Sequence, residues 1–420
     1  MRIVGIIAEY NPLHSGHQYH IRQAKKAADA EGVVCVLSSS FVQRGEPAFL
    51  RKHARALMAL NSGADLVLEL PAAFSCASAE YFSGAAVGLL NALGCVDVLS
   101  FGSEEGSLPP LLEAASLLAS EPPDFKLKLK DALSSGLSFP AARQKALSGF
   151  LSEAASRVVE SPNNILAVEY LKALKRLGSG ITPSTLRREG QGYNDTRLGP
   201  SFSSATAIRS ALMQTPSSLE AVKANMPEES FSILTREQAA GFGPVTWDHF
   251  ETIVLHRLRT GTLSYLAELP YMGEGLHYRL KEASFKAVSI EELISLSASS
   301  RYPSARIRRI LCALITGMTQ EFLNELKENG YVRYLRVLGF NAKGREILAG
   351  TKKKAGLPFL IRPADYKRLG DSLAIRLFEH EIHSTDTYAL GFPKKQLRKG
   401  GLELTTPLIS ALHQSSFPEP

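Results

Sequence analysis

Two hydrophobic periods alternate along the first hundred residues. Short apolar runs at Arg2–Ala8, Val33–Leu37, Asp65–Leu70 and Val96–Phe101 have the length of buried strands. Between them, His17–Ala30, Leu50–Asn61 and Ala77–Leu93 carry apolar residues at helical spacing, as at Leu50, Ala54, Leu57, Met58 and Leu60. Strands alternating with helices predict an α/β fold with a parallel sheet and right-handed crossovers. Ligands of such sheets sit beyond the carboxyl ends of the strands, near the switch in strand order. Asn11–Gly16 and Gly102-Ser103 fall on that edge.

Residues 107–160 read as a helical insertion. Ser161-Pro162-Asn163-Asn164 then opens a helix over Ile165–Leu177, with Ser a natural N-cap and Pro at the first position. Ile181–Arg188 is a candidate fifth strand, Asn194–Ser203 a loop and Ser204–Arg209 another helix start. After Ala240 the pattern changes. Gly241–Pro244 reads as a linker, and Thr252–Arg259, Gly273–Ala283, Ile290–Ser297, Ser304–Ile315 and Gln320–Lys327 read as helices. Two domains are expected: an α/β domain over 1–240 and a mainly helical one over 241–420, with a frayed tail from Gln414.

Charge sharpens this division. Residues 251–420 hold 25 Lys+Arg against 17 Asp+Glu, a net of +8, whereas residues 1–250 hold 23 against 24, a net of −1. A basic second half is the footprint of a nucleic-acid partner, or simply a basic solvated surface. No run of eighteen apolar residues appears and Met1-Arg2-Ile3 leads straight into a strand, so neither a membrane span nor a signal peptide is expected. The four cysteines, Cys35, Cys76, Cys95 and Cys312, are scattered, which fits a reducing cytoplasm and argues against a zinc ribbon.

The strongest chemical signal is His14-Ser15-Gly16-His17, after the chain-breaking Asn11-Pro12 and at the start of a helix. A helix N-terminus favours an anion, Gly16 admits a phosphate close to the backbone, and two imidazoles can donate to phosphoryl oxygens as charge develops. Nucleotidyl transfer is the reaction this serves; isolated structural histidines are the bland alternative. Ser203-Ser204-Ala205-Thr206 with Arg209 is a second cradle of the same kind, or a plain capped helix. Arg44 in Gln43-Arg44-Gly45-Glu46-Pro47 could clamp a phosphate or a carboxylate, or sit in a surface turn. Gly102 could admit a ribose or adenine. One of Asn163 and Asn164 exceeds what capping needs, and Arg187-Arg188 end a strand where a triphosphate could lie. In the basic half, Arg306 and Arg309 near Tyr302, Arg333 and Arg336 near Tyr331 and Tyr334, and Lys352, Lys353 and Lys354 suit RNA phosphates and stacked bases, or are solvated helix faces.

In combination these segments resemble a known family. Ile3–His17 and Ser203–Arg209 resemble the His-x-Gly-His nucleotidyltransferase superfamily. Phe41–Ala48, Leu66–Pro71, Phe101–Glu104, Pro162–Leu166, Tyr334–Asn341 and Asp386–Ala389 are similar to bacterial tRNA(Met) cytidine acetate ligases. The resemblance implies a Rossmann-like nucleotidyltransferase domain that forms acetyl-adenylate from acetate and ATP. Acetyl then passes to N4 of the wobble cytidine of elongator tRNA(Met). It further implies ATP contacts along Ile7, Ala8, Glu9, Tyr10, Asn11, Pro12, Leu13, His14, Ser15, Gly16, His17, Gln18, Tyr19 and His20, and at Gly102, Asn163 and Arg188. His14 and His17 are the expected catalytic pair, Ser204, Thr206 and Arg209 candidate phosphate contacts. Mg2+ is expected to accompany ATP, with no resident protein metal. The sequence departs from the family at Ser38-Ser39-Ser40, where a Gly is usual in the middle. A transferase joining a nucleotide to a phosphorylated metabolite explains the first half equally well but leaves the basic half without a use.

Overall fold

The computed structural model describes residues 1–137, 139–188, 203–214 and 219–411. Residues 194–202 of the loop expected over Asn194–Ser203, and the tail from 414, lie outside the described residues.

Apolar runs became strands because both their faces are covered. The main strands are β1 (Ile3–Ala8), β2 (Gly32–Ser38), β3 (Leu66–Leu70), β4 (Val98–Ser103), β5 (Thr182–Arg187), β6 (Leu335–Asn341) and β7 (Ile409–Ala411). Their order across the sheet is β7-β6-β3-β2-β1-β4-β5, with the two-residue strand Phe359–Leu360 beside β6. All neighbours are parallel except β3 and β6. From β1 the chain steps through β2 to β3 on one side, then crosses to β4 and β5 on the other. The switch in strand order therefore lies between β1 and β4, and the crevice above it is the natural ligand site.

Helices α1 (Ser15–Ala27), α2 (Lys52–Asn61), α3 (Ala79–Leu93), α4 (Pro162–Arg176), α5 (Ala205–Gln214) and α6 (Ser372–Ala389) cover the sheet or its upper edge. The expected insertion is helical, with helices at Leu108–Ser120, Pro123–Ser134 and Phe139–Leu147. Leu111, Ala114, Leu118 and Phe125 join the core that contains α3 and α4. Residues 251–328 form helices only, and their core closes over the hairpin Phe41–Val42/Glu46–Pro47 through Phe41, Val42 and Ala48. Among the described residues no helix is long and apolar enough to cross a membrane.

The second half is not helical throughout. After residue 328 the chain returns to the sheet: β6 pairs antiparallel with β3, Val67 opposite Gly339, and β7 adds beyond it. The central sheet thus takes strands from both sides of residue 240. A buried ion cluster welds the same seam. Lys52 on α2 contacts Glu69 on β3, Glu381 on α6 (2.9 Å) and Glu403 (2.5 Å), with Arg336 of β6 3.7 Å from Glu403. Burial would lower the Lys52 ammonium, but Glu381, Glu403 and Glu69 outweigh it and hold the pKa above the ordinary lysine value. Glu69 carries the surplus carboxyl: burial, then the nearby Glu381 charge, pushes it up to about 8.

Candidate active site

A cavity of about 700 Å³ opens at the carboxyl ends of β1 and β4. Its floor is the turn after β1. Tyr10 takes a left-handed φ of 46°, the Asn11–Pro12 peptide is cis, and Asn11 Oδ1 accepts the Phe49 N–H at 2.6 Å. The chain then enters α1 with His14 as N-cap. His14 Nδ1 accepts the Gly16 N–H (3.1 Å), and His17 Nδ1 accepts the His14 N–H (3.3 Å). This reciprocal box uses imidazoles where Ser and Glu are usual. Because both Nδ1 atoms accept, each neutral ring carries its proton on Nε2. The rings stack with centroids 3.7 Å apart. Burial, then the Arg188 charge, lowers the His14 pKa to about 3; burial, then His14, depresses His17; burial, then Arg188, takes His20 to about 4. At neutral pH these imidazoles are therefore uncharged, beside the Arg188 guanidinium.

The second cradle closes on the first. Asn225 accepts the Ser15 N–H on its carbonyl oxygen (3.0 Å) and the Ser203 hydroxyl on its Oδ1 (2.8 Å). Arg209 on α5 donates to the Asn11 carbonyl (2.7 Å) and reaches Glu46 at 3.3 Å. Two helix N-termini far apart in sequence therefore face one cavity, which Ser204, Thr206 and Arg209 line together with His14, His17 and His20.

On the β4 side, Gly102 and Arg188 form a pair. A Cβ on Gly102 would meet Arg188 Cγ at 3.1 Å, so the missing side chain lets the arginine lie across the strand end. Ser161 precedes α4 without a side-chain cap bond; Glu104 supplies that cap, accepting the Asn163 and Asn164 N–H groups at 3.4 and 2.9 Å. Asn164 returns the favour to the Glu104 and Glu105 N–H groups, and the Asn163 amide donates to Glu104 at 2.6 Å. Both asparagines thus fix the β4–α4 junction, and Asn163 also lines the cavity.

On the β2 side stand Glu9, Gln43, Arg44, Glu46 and Arg309. Arg309 Nε donates to the Gln43 carbonyl at 2.8 Å, and Trp247 Nε1 to the Gly45 carbonyl at 3.1 Å. Gly45, at φ 75°, packs so tightly that a Cβ would lie 2.3 Å from the Arg309 backbone nitrogen. Ser39 keeps a negative φ, so no glycine is needed there; its hydroxyl instead donates to Glu381.

The family model described as HIGH Nucleotidyl Transferase matches residues 1–402. A tRNA(Met) cytidine acetate ligase of Acetivibrio thermocellus is 40% identical over 413 residues, 97% of this chain and 100% of the relative. Another, of Caldanaerobacter subterraneus subsp. tengcongensis, is 41% identical over 411 residues, again 97% and 100% of the two chains. The chain belongs to the tRNA(Met) cytidine acetate ligase family. Apo Thermotoga maritima TmcAL superposes with a TM-score of 0.94 at 33% identity, covering 98% of this chain and 99% of that one. The same enzyme bound with alpha-thio ATP gives 0.91 at 33% identity, covering 98% and 100%.

The basic residues expected at RNA in this family divide sharply. Arg336 is fully buried, donating to the Val337 and Ile361 carbonyls at 2.9 Å, so it is a core residue and not an RNA contact. Arg309 faces the cavity. Tyr334 is buried against Phe378, Tyr331 packs on Phe74 and Tyr81, and the Tyr302 hydroxyl donates to the Glu274 carbonyl, so these rings are spent on packing and do not offer stacking faces. Arg306 donates to the Tyr271 carbonyl, and Arg333 is half-buried in an ion pair with Asp371. Lys352, Lys353 and Lys354 are exposed, beside Gly94, at the amino ends of the strands and on the opposite edge from the cavity.

Further cavity walls carry no motif in the sequence. Leu118, Phe125, Leu129, Phe139 and Arg143 come from the insertion, and Glu169 and Lys172 from α4. A helical pattern over the insertion does not say which of its residues would meet the cavity. Among the described residues one acidic group has metal-ligand spacing, Glu69, Glu381 and Glu403. Lys52 fills it, so it does not fit a resident cation.

Proposed function

We propose that this chain is an ATP-dependent acetate ligase acting on tRNA(Met). An acetate oxygen attacks the α-phosphorus of ATP, forming acetyl-adenylate and releasing pyrophosphate. The N4 amine of the wobble cytidine of elongator tRNA(Met) then takes the acetyl group, and AMP leaves. The observation that carries this reading is the closure of the two helix N-termini, through Asn225 and Arg209, around one cavity at the strand-order switch. That arrangement suits a triphosphate, and the curated relatives carry the ligase name over almost the whole chain.

In this reading the Nε2–H groups of His14 and His17 meet phosphoryl oxygens. The N–H groups of the two helix starts and Arg209 take the rest of the charge, as positioned donors do for transferred phosphates. Arg188, Gly102 and Asn163 border the nucleoside. The β2 side, with Arg44 and Arg309, receives the acetate carboxylate. Among the described residues none forms a cage for Mg2+, and the ion would accompany the triphosphate. Arg306, Arg333 and the Lys352–Lys354 turn remain candidate tRNA contacts, and ATP and tRNA as substrates support a cytoplasmic enzyme.

Exchange of labelled pyrophosphate into ATP tests the first half-reaction. It should require acetate and should be indifferent to acetyl-CoA. Exchange supported by a phosphorylated metabolite instead of acetate would overturn the reading in favour of a small-molecule nucleotidyltransferase.

A further inference from the structure

Glu9 belongs to the segment expected at ATP, but its carboxylate is held against the hairpin after β2. Its Oε1 accepts the Gln43 N–H at 2.7 Å, which turns the carboxylate toward the hairpin after β2. Its backbone carbonyl accepts from Arg55 at 2.7 Å, so the residue is held from both ends. Arg209, Arg44 and Glu46 are its charged neighbours, and Arg309 borders the same side of the cavity. A carboxylate among triphosphate oxygens would repel them, whereas here Arg209 and Arg44 offset its charge and leave the β2 side able to take acetate. On the acceptor side it has a use.

Resting on the ligase reading, we propose that Glu9 is a catalytic residue of acetyl transfer: it accepts the N4–H of the target cytosine and removes its proton. Cytosine offers an N–H at N4 and acceptors at N3 and O2, so a carboxylate beside guanidinium groups matches its edge. Uracil would turn an oxygen toward the same carboxylate. In the step, the N4 lone pair forms a bond to the acetyl carbonyl carbon and the C–O bond to phosphate breaks. AMP leaves with that electron pair, and the N4 proton passes to Glu9. Burial raises the Glu9 pKa above the ordinary carboxylate value, against the lowering effects of the Gln43 hydrogen bond and Arg209, which brings the base closer to working pH.

The test uses the full-length enzyme with ATP, acetate and tRNA(Met), and separates acetate-dependent pyrophosphate release from single-turnover acetyl transfer between pH 5.5 and 8.5. Glu9→Gln keeps an acceptor for the Gln43 N–H. It should slow transfer by roughly a hundredfold or more, at least about ten times more than it slows pyrophosphate release, and change the pH profile of transfer more than that of pyrophosphate release. Glu9→Asp should restore part of the rate. Unchanged transfer would overturn the proposal, as would loss of both half-reactions in parallel. A wild-type enzyme that releases no pyrophosphate with acetate would sink the ligase reading itself, a result distinct from an active wild type beside an unimpaired Glu9→Gln.

Discussion

Arg55 is the buried residue on which the acceptor side hangs. It is fully inaccessible and sends three donors to three carbonyls: Nε to Leu50 at 3.0 Å, Nη1 to Glu9 at 2.7 Å and Nη2 to Ser39. These acceptors belong to the end of β1, the loop after β2 and the entry to α2. Burial lowers the guanidinium pKa to about 10, so it stays charged at neutral pH. Arg55→Lys keeps the charge but has one nitrogen, which serves one carbonyl well. Two buried acceptors then lose their partner, at about 1–3 kcal/mol each, or roughly 2–6 kcal/mol together. A typical domain holds about 5–15 kcal/mol in all, so the variant should fold with a strongly reduced urea midpoint and an unchanged slope. Acetyl transfer should fall more than pyrophosphate release, because Glu9 loses one of its two anchors. A stability loss under about 0.5 kcal/mol would refute the reasoning, by showing that those carbonyls find other donors.

Three further outcomes follow from the same geometry. His17→Ala should abolish acetyl-adenylate formation while tRNA binding, followed by filter retention, persists; unchanged turnover would remove His17 from the site. Glu69, raised to about 8 against an ordinary 4.5, is protonated in the folded protein over a range where the unfolded chain is ionised. Its contribution to stability is therefore complete below about pH 4.5 and is lost as pH rises toward 8. Glu69→Gln should flatten that decline in urea titrations at pH 5.5 and 8, and an identical pH dependence would show that Glu69 is already ionised. Replacing Lys352, Lys353 and Lys354 by Gln should reduce the salt slope of tRNA binding by up to about 3 if all three meet phosphates; an unaltered slope would take this far-edge turn out of the interface.

What the sequence shows clearly is local. The strand–turn–helix of Ile3–Ala27 announces itself through an apolar run, an Asn-Pro break and a helical repeat, and the phosphate cradle follows from where the two histidines fall in that pattern. The fifth strand and the Ser203–Arg209 helix start are legible for the same reason. The return of β6 to the sheet is not. Its antiparallel pairing with β3 depends on a strand far away in sequence, and Arg336 inside it looks like part of a basic surface. Only the carboxylates of Glu69, Glu381 and Glu403, brought together by folding, make a buried arginine tolerable there. Arg309 and the tyrosines near it mislead in the same way: a one-dimensional cluster of Arg and Tyr does not say which members face inward. Asn163 and Asn164 carried a legible surplus of polarity, but their common partner Glu104 appears only once β4 and α4 meet.

The most direct test of the account follows the acetyl group itself. Purified enzyme, ATP, Mg2+, elongator tRNA(Met) and carboxyl-labelled acetate should give labelled N4-acetylcytidine at the wobble position, with one AMP and one pyrophosphate per acetyl group. Label that enters the RNA only from acetyl-CoA, or ATP cleavage that leaves the RNA unlabelled, would contradict it.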